Sequence, residues 1–182
     1  MPRAHDNGTR LAAAHMQGFR RAASAETNAR YDQAARDLFA QLGLAADGST
    51  TTGSAPMRGM YDPLNQIWGD KQTGGKIFVG NQQAAQNAAM LKAHGITCVV
   101  NCTDSMPLYH QNTFQYYRFN VTFWSAHGDT TEKLSQFLQP MLDFVDACVA
   151  RGEGVLVHCL AGAHRAGTTG CMLLMYKAGL SA

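Results

Sequence analysis

The hydrophobic pattern of the chain changes near residue 75. From there on, short apolar runs rich in β-branched residues alternate with longer segments in which apolar residues recur every three or four positions. The short runs are typical of buried strands, and the longer segments are typical of amphipathic helices. The pattern predicts strands at 76–79, 96–102, 116–121 and 155–158, and helices at 82–94, 130–151 and 168–177. This alternation predicts an α/β fold with a central sheet flanked by helices.

The first 60 residues have a different character, because they are rich in Ala, Arg, Gly, Thr and Ser. Residues 10–44 are compatible with a helix, but their apolar positions are sparse, which predicts a solvated or loosely docked helix. Residues 47–59 read DGSTTTGSAPMRG and are typical of a linker. We therefore expect a flexible or helical extension and linker at 1–60, followed by one folded domain at 61–182.

Composition and charge narrow the class of protein. The chain has 182 residues, of which 46% are hydrophobic, and a formal net charge of +2. This is enough apolar material for a core, and the weak net charge gives no field that would favour nucleic acid or an acidic membrane surface. No apolar run approaches the roughly 18 residues that a membrane-spanning helix needs. We expect no nucleic-acid partner and no membrane span, and the oligomeric state stays open.

The five cysteines, Cys98, Cys102, Cys148, Cys159 and Cys171, include no CxxC pair. We therefore predict no metal site, and nothing in the chain implies a cofactor. Their odd number and the absence of a secretory signal peptide favour a reducing compartment, so we expect a cytoplasmic location. The five arginines among the first thirty residues are typical of a mitochondrial transit peptide, which is the alternative. Cys98, Cys148 and Cys171 are interpreted as buried small hydrophobic residues.

The segment HCLAGAHRAGT at 158–168 lies between a predicted buried strand and a predicted helix. A loop of this length can turn successive backbone amides inward to bind a phosphate dianion, and the helix adds its positive N-terminal end. Gly162 and Gly167 permit the backbone conformations and close approach that such a curl requires. Cys159 would lie beneath the phosphorus as a thiolate, and the planar fork of Arg165 could hold two phosphoryl oxygens. The predicted phosphate-binding residues are Leu160, Ala161, Gly162, Ala163, His164 and Arg165.

The motif CX5R, in the context VLVHCLAGAHRAG, resembles the dual-specificity phosphatases of the cysteine-based protein tyrosine phosphatase superfamily. The segments GKIFVGNQQAAQNAAMLKAHGITCVVNCT and FVDACVARGEGVLVHC extend this resemblance over residues 75–180. It implies a mostly parallel twisted sheet of four to five strands flanked by helices, with Cys159 as nucleophile and Arg165 binding the phosphate. Near the C-terminus, Gly179 reads as the end of a helix and Ser181 as the cap of the next. We therefore expect the last helices of the domain to lie beyond this sequence.

Hydrolysis of a phosphate ester needs a proton donor for the leaving oxygen. The resemblance implies an Asp about thirty residues before the nucleophile, and Asp129 is the Asp in that window. Asp129 could instead cap the helix that begins at Thr130. His127 is an alternative donor, and Asp104 could serve if its loop reached the site.

Three residues near the loop bear on rate and regulation. The family usually has Ser or Thr directly after the Arg, where the hydroxyl helps the sulfur to leave, but this chain has Ala166. This departure predicts a slow second step, with Thr168 and Thr169 as candidates to replace the hydroxyl. His164 is interpreted as a solvent-facing loop residue that could add positive charge at low pH. Cys102 corresponds in place to a redox partner of the nucleophile in some relatives, or is a buried small residue.

The resemblance implies a protein phosphatase that acts on phosphotyrosine and phosphoserine or phosphothreonine in a phosphorylated protein. One alternative is a catalytically weak module that binds phosphorylated proteins, which Ala166 favours. Another is a phosphatase acting on phosphoinositide, RNA or glycan phosphate. The loop 160–163 contains no Lys, which favours a protein substrate over a phosphoinositide.

Overall fold

A computed structural model describes residues 25–41, 62–126 and 130–179 of the chain. Five strands and five α-helices follow one another in these ranges, with a short 3₁₀ helix at Val121–Ala126. The strands are β1 (Leu64–Gly69), β2 (Lys76–Gly80), β3 (Ile96–Asn101), β4 (Gln115–Arg118) and β5 (Gly154–His158). The helices are α1 (25–41), α2 (Gln82–Gln86), α3 (Ala88–Ala93), α4 (Thr131–Ala150) and α5 (Arg165–Ala178).

The five strands form one sheet in the order β1-β2-β5-β3-β4. β2, β5, β3 and β4 run parallel, and β1 joins the edge of the sheet antiparallel to β2. β5 lies at the centre, where all five of its residues are buried. The predicted α/β fold with a mostly parallel sheet of four to five strands is therefore confirmed. Open parallel sheets bind ligands at the carboxyl ends of their strands. The carboxyl end of the central strand β5 lies at that edge of the sheet.

Helices cover both faces of the sheet. One face packs against α4 and α5 through buried residues that include Met141, Val145 and Leu173. The other face packs against α2 and α3 through Ala85 and Leu91. Among the described helices, none combines the length and the apolar character that crossing a bilayer would require.

Several elements differ from the pattern-based prediction, among them β4, which ends at Arg118 rather than at residue 121. β1 was not predicted, because its sequence LNQIWG has few β-branched residues and half of its side chains are exposed at the sheet edge. The predicted helix 82–94 is two helices, since Asn87 ends α2 and its Oδ1 accepts a hydrogen bond from the Met90 amide at 2.9 Å to cap α3. α5 begins at Arg165 rather than at Thr168, so the guanidinium side chain belongs to the first helical turn.

The buried positions expected for Cys98 and Cys148 are confirmed, but their disulfide was not predicted, and the interpretation of Cys171 as buried was wrong. Cys98 on β3 and Cys148 on α4 form a disulfide that closes a loop of 50 residues, and Cys171 is an exposed free thiol. The pairing could not be read from the sequence, because connectivity depends on which residues the fold brings together. The disulfide ties the sheet to α4 on the face that also carries Cys102 and Cys159.

Candidate active site

The loop 159–164 joins the central strand β5 to the N-terminus of α5. Cys159 is a free thiol at the start of the loop and is 2% exposed. Among the described residues, the backbone amides of Leu160, Gly162, Ala163 and His164 donate no hydrogen bond to protein atoms. A curl of unpartnered amides next to a helix N-terminus is a ready anion-binding concavity.

Gly162 is required by the shape of this loop. Its φ is +75°, and a Cβ built there would lie 3.0 Å from the carbonyl carbon and oxygen of Gly80. A side chain at this position would therefore meet both an unfavourable backbone conformation and a steric clash with β2. Gly167 differs from the expectation: it lies inside α5 without a positive φ, and a Cβ there would meet only the Gly162 oxygen at 3.8 Å.

Arg165 is buried, with 2% of its surface exposed. Its Nη1 donates to Oδ1 of Asn28 at 3.0 Å, and its Nη2 forms an ion pair with Asp32. Both partners lie on α1, more than 130 residues earlier in the chain. The guanidinium therefore holds a carboxylate and an amide oxygen beside the loop predicted to bind phosphate.

His164 precedes α5, and its side chain makes no capping hydrogen bond. Its ring lies 5.7 Å from the ring of Tyr31 on α1. The same Tyr31 ring lies 6.0 Å from the guanidinium carbon of Arg165. The solvent-facing position expected for His164 is thus partly covered by α1.

The loop that follows β3 reaches the same region. Asp104 accepts hydrogen bonds from Asn120 Nδ2 at 2.7 Å and from Asn28 Nδ2 at 3.1 Å. Since Asn28 also accepts from Arg165, a single amide side chain connects Asp104 to the guanidinium. Among the described residues, Asp104 is thus linked to Arg165 only through a residue of α1, and its role as a proton donor stays a prediction.

Asp129 and His127, the other two predicted donors, lie outside the described residues. The N-cap of α4 is Thr130, whose side-chain oxygen accepts a hydrogen bond from the Lys133 amide at 3.4 Å. The helix-capping role considered for Asp129 is thus filled by its neighbour. The catalytic role of Asp129 stays a prediction.

Cys102 follows the end of β3 and is completely buried. Its Sγ donates to Oγ1 of Thr169 at 3.6 Å, and burial raises the pKa of Cys102 to about 12. The thiol is therefore protonated at neutral pH, which makes it a poor attacking nucleophile in thiol exchange. Cys102 and Cys159 share one core cluster as free thiols, and a redox role for Cys102 stays a prediction.

Thr169, one of the candidates to replace the missing hydroxyl, is also engaged. Its hydroxyl donates to the backbone oxygen of Arg165 at 2.9 Å, which uses its single proton. Ala166 is fully buried and has no polar group to offer. Thr169 therefore does not stand in for a hydroxyl after the Arg.

His158, directly before the nucleophile, is fully buried, and neither ring nitrogen has a hydrogen-bond partner among the described residues. Burial lowers the pKa of His158 from 6.5 to about 4. The imidazole of His158 therefore binds its proton at a higher pH in the unfolded chain than in the folded chain. The stability gained by keeping His158 neutral is fully present above pH 6.5 and is lost as the pH falls towards 4.

We expect acidification through this window to lower the free energy of unfolding by about 3 kcal/mol through His158 alone. Urea denaturation at several pH values, compared between the wild type and His158→Leu, isolates this contribution from that of other titrating groups. The wild type should lose more stability on acidification than the variant. Equal losses would show that His158 is not held neutral by burial.

One group of side chains in the described part of the chain has the spacing of a metal site: Cys98, Cys148 and Glu153, with ligand atoms within 4.8 Å of one another. The two sulfurs share a disulfide, and the Glu153 carboxylate pairs with Arg151 at 2.7 Å. The donor set is therefore already engaged and does not fit a metal ion.

The sequence analysis missed the α1 residues at the site. Asn28, Asp32, Ala35 and Phe39 are spaced by four, three and four residues, which places them on one face of a helix. This spacing was the available signal, but two of the four positions are polar. The apolar positions alone are sparse and therefore predict a loosely docked helix. In the structure Ala35 and Phe39 are each only 1% exposed, so the helix is firmly packed.

Comparisons with known proteins identify the family of this chain. Human dual specificity protein phosphatase 6 is 32% identical over 108 residues, which is 58% of this chain and 27% of that protein. Human dual specificity protein phosphatase 9 is 31% identical over the same length, with the same two shares. The chain thus matches only about a quarter of the length of these relatives.

The solved structures that match this chain include two phosphatases. The Yvh1 phosphatase domain from Chaetomium thermophilum is 24% identical, with a TM-score of 0.46 over 63% of this chain and 67% of that one. DUSP15 is 22% identical, with a TM-score of 0.44 over 64% of this chain and 68% of that one. The family model described as dual specificity phosphatase, catalytic domain, matches residues 77–182. Because this match covers more than half of the chain, the protein belongs to the dual-specificity phosphatase family.

Proposed function

We propose that this chain is a cysteine-dependent protein phosphatase that hydrolyses phosphotyrosine and phosphoserine or phosphothreonine in protein substrates. The observation that carries the proposal is the loop 159–164 at the start of α5. The amides of Leu160, Gly162, Ala163 and His164 have no protein acceptor in the part of the chain that the structure describes, Gly162 is left-handed, and Arg165 is buried. Family membership supports a protein substrate, and the absence of Lys from the loop agrees with it.

The chemistry proceeds in two displacements at phosphorus. In the first, the Cys159 thiolate forms an S–P bond while the P–O bond to the substrate breaks, and the leaving oxygen takes a proton from the donor, for which we propose Asp129. In the second, water loses a proton to the same carboxylate and forms a P–O bond while the S–P bond breaks. Inorganic phosphate leaves, and the thiolate is restored. The loop amides and Arg165 carry the charge of the equatorial oxygens in both steps.

A substrate panel tests this proposal. Phosphotyrosine and phosphothreonine peptides, a phosphoinositide and an aryl phosphate would be supplied to the full chain with and without orthovanadate. We expect vanadate-sensitive release of phosphate from the peptides, and Asp129→Ala should slow the peptides more than the aryl phosphate, whose leaving group needs less protonation. Phosphate release from the phosphoinositide alone would contradict a protein substrate, and tight phosphopeptide binding without release would indicate a binding module.

The absence of a hydroxyl at Ala166 predicts that the second displacement limits turnover. A hydrogen bond to a charged group contributes roughly 1.5–3 kcal/mol, so Ala166→Ser should raise the steady-state rate by about tenfold or more. Rapid mixing with an aryl phosphate should show a burst in the wild type, and the burst should shrink in the variant. Ala178→Ser, at the exposed far end of the same helix, is the matched control. A linear progress curve from the first turnover of the wild type would contradict a slow second step.

A further inference from the structure

We propose that α1 is an autoinhibitory segment of this chain that docks on the mouth of the catalytic loop and places the Asp32 carboxylate where the substrate's phosphoryl group would bind. The inference rests on the proposed function, since it assigns an occupant to the same anion site. The occupant is this chain's own residues 25–41, which precede the matched family domain at 77–182. Nothing in the family match assigns a role to this segment.

The polar contacts of α1 use the group that a phosphate would need. Both terminal nitrogens of the Arg165 guanidinium are engaged, one by Asn28 and the other by Asp32. The planar guanidinium binds phosphate through two parallel hydrogen bonds, and a carboxylate is the protein group that best imitates that partner. With Arg165 held in this way, a phosphoryl group can bind fully only after Asp32 withdraws.

Apolar contacts fix α1 in this position. Ala35 and Phe39 are each 1% exposed, and they form a small core cluster with Ala161 of the loop, against which Leu160 packs. This cluster is separate from the two that lie against the faces of the sheet. The catalytic loop therefore supplies the apolar surface on which α1 is anchored.

Two further contacts lie on the same face of α1. Asn28 donates a hydrogen bond to Asp104, in the loop that follows β3. The ring of Tyr31 lies near both the ring of His164 and the guanidinium group of Arg165. On the opposite side, Gln33 bonds to Asp37 at 2.8 Å, and both side chains are exposed. α1 is thus two-sided, with one face complementary to the loop and the other facing solvent.

A covering helix of this kind reduces affinity without changing the chemistry. Phosphorylated substrate and α1 compete for Arg165, so the observed dissociation constant is the intrinsic one divided by the fraction of molecules in which α1 is withdrawn. Once substrate is bound, α1 is withdrawn, and the loop then acts in the same way whether α1 docks strongly or weakly in the free protein. Weakening α1 should therefore lower KM and leave kcat unchanged.

The test uses the full chain with three substitutions and tungstate as a phosphate analogue. Asp32→Ala removes the carboxylate, Phe39→Ala weakens the anchor while leaving the charge, and Asp37→Ala is the matched control that removes an acid from the solvent face. Calorimetric titration with tungstate reports binding, and aryl phosphate hydrolysis reports KM and kcat. Thermal melting confirms that each variant is folded.

We expect Asp32→Ala and Phe39→Ala to lower the tungstate Kd, and KM by the same factor, by about tenfold if α1 is withdrawn in one molecule in ten. Asp37→Ala should leave both unchanged. Equal tungstate Kd values in the wild type, Asp32→Ala and Phe39→Ala would overturn the proposal. So would a wild-type Kd that rises with protein concentration, because α1 would then come from a second copy. Tighter tungstate binding without hydrolysis in any variant would retain the role of α1 and remove the proposed enzymatic function.

Discussion

Replacing Cys159 with serine is expected to abolish hydrolysis of every phosphorylated substrate, with a loss of at least about 10⁴-fold in kcat. The serine hydroxyl is held by the same loop but is protonated at neutral pH, and it is a far weaker nucleophile than a thiolate. Binding should survive, because the amides of Leu160, Gly162, Ala163 and His164 and the Arg165 guanidinium are unchanged. The variant should therefore separate the two functions of the loop, holding the anion and attacking it.

The measurement pairs steady-state hydrolysis of an aryl phosphate with calorimetric binding of tungstate. Cys171→Ser is the matched control, since Cys171 is the exposed free thiol on α5. It should retain wild-type turnover. Substantial hydrolysis by Cys159→Ser would mean that another group is the nucleophile.

Replacing Arg165 with lysine should have the second largest effect, a loss on the order of 10³-fold in kcat/KM. Lysine keeps the positive charge, but its ammonium group cannot hold two phosphoryl oxygens through parallel hydrogen bonds as the planar guanidinium does. The loss should appear in kcat as well as in KM, because the guanidinium is most needed when charge spreads over the phosphoryl oxygens in the transition state.

Arg151→Lys is the matched control for this variant, because Arg151 pairs with Glu153 directly before β5, whereas the loop follows the other end of that strand. Kinetics over a range of aryl phosphate concentrations would separate kcat from KM. A variant in which only KM changed would show that Arg165 contributes to ground-state binding alone.

Arg165 also explains why the covering helix and catalysis are coupled. The same guanidinium that is proposed to bind phosphate holds Asn28 and Asp32. Arg165→Lys should therefore weaken the docking of α1 as well as catalysis, whereas Asp32→Ala should weaken only the docking. Weaker docking alone lowers KM, whereas weaker binding of the phosphoryl group raises it. Asp32→Ala should therefore lower KM, and Arg165→Lys should raise it because the loss of the bidentate phosphate contact is the larger effect.

The sequence predicted the sheet, the helices behind it and the catalytic loop, because each depends on local signals. β5 is a continuous apolar run that ends in His158. The glycine-containing loop and the helical pattern after it follow within about twenty residues, so the sequence alone identifies them. The need for glycine at 162 was also predicted, although its second reason, the close approach to Gly80, required the packed structure.

The contacts of α1 and the disulfide could not be predicted in this way, since both join residues far apart in the chain. Asn28 and Asp32 meet Arg165 across 137 and 133 residues. Polar residues on a helix face ordinarily indicate solvent, so Asp32 was indistinguishable from Asp37 until the fold placed one against a buried guanidinium. The pairing of Cys98 with Cys148 likewise depends on β3 and α4 lying side by side.

The most direct test of the central claim is to trap the covalent intermediate. The full chain would be mixed with an aryl phosphate, quenched in acid during the burst and digested for mass spectrometry. We expect one phosphoryl group on the peptide that contains Cys159, and none on that peptide from Cys159→Ser. A phosphoryl group on any other residue, or continuing turnover without one on Cys159, would contradict the account.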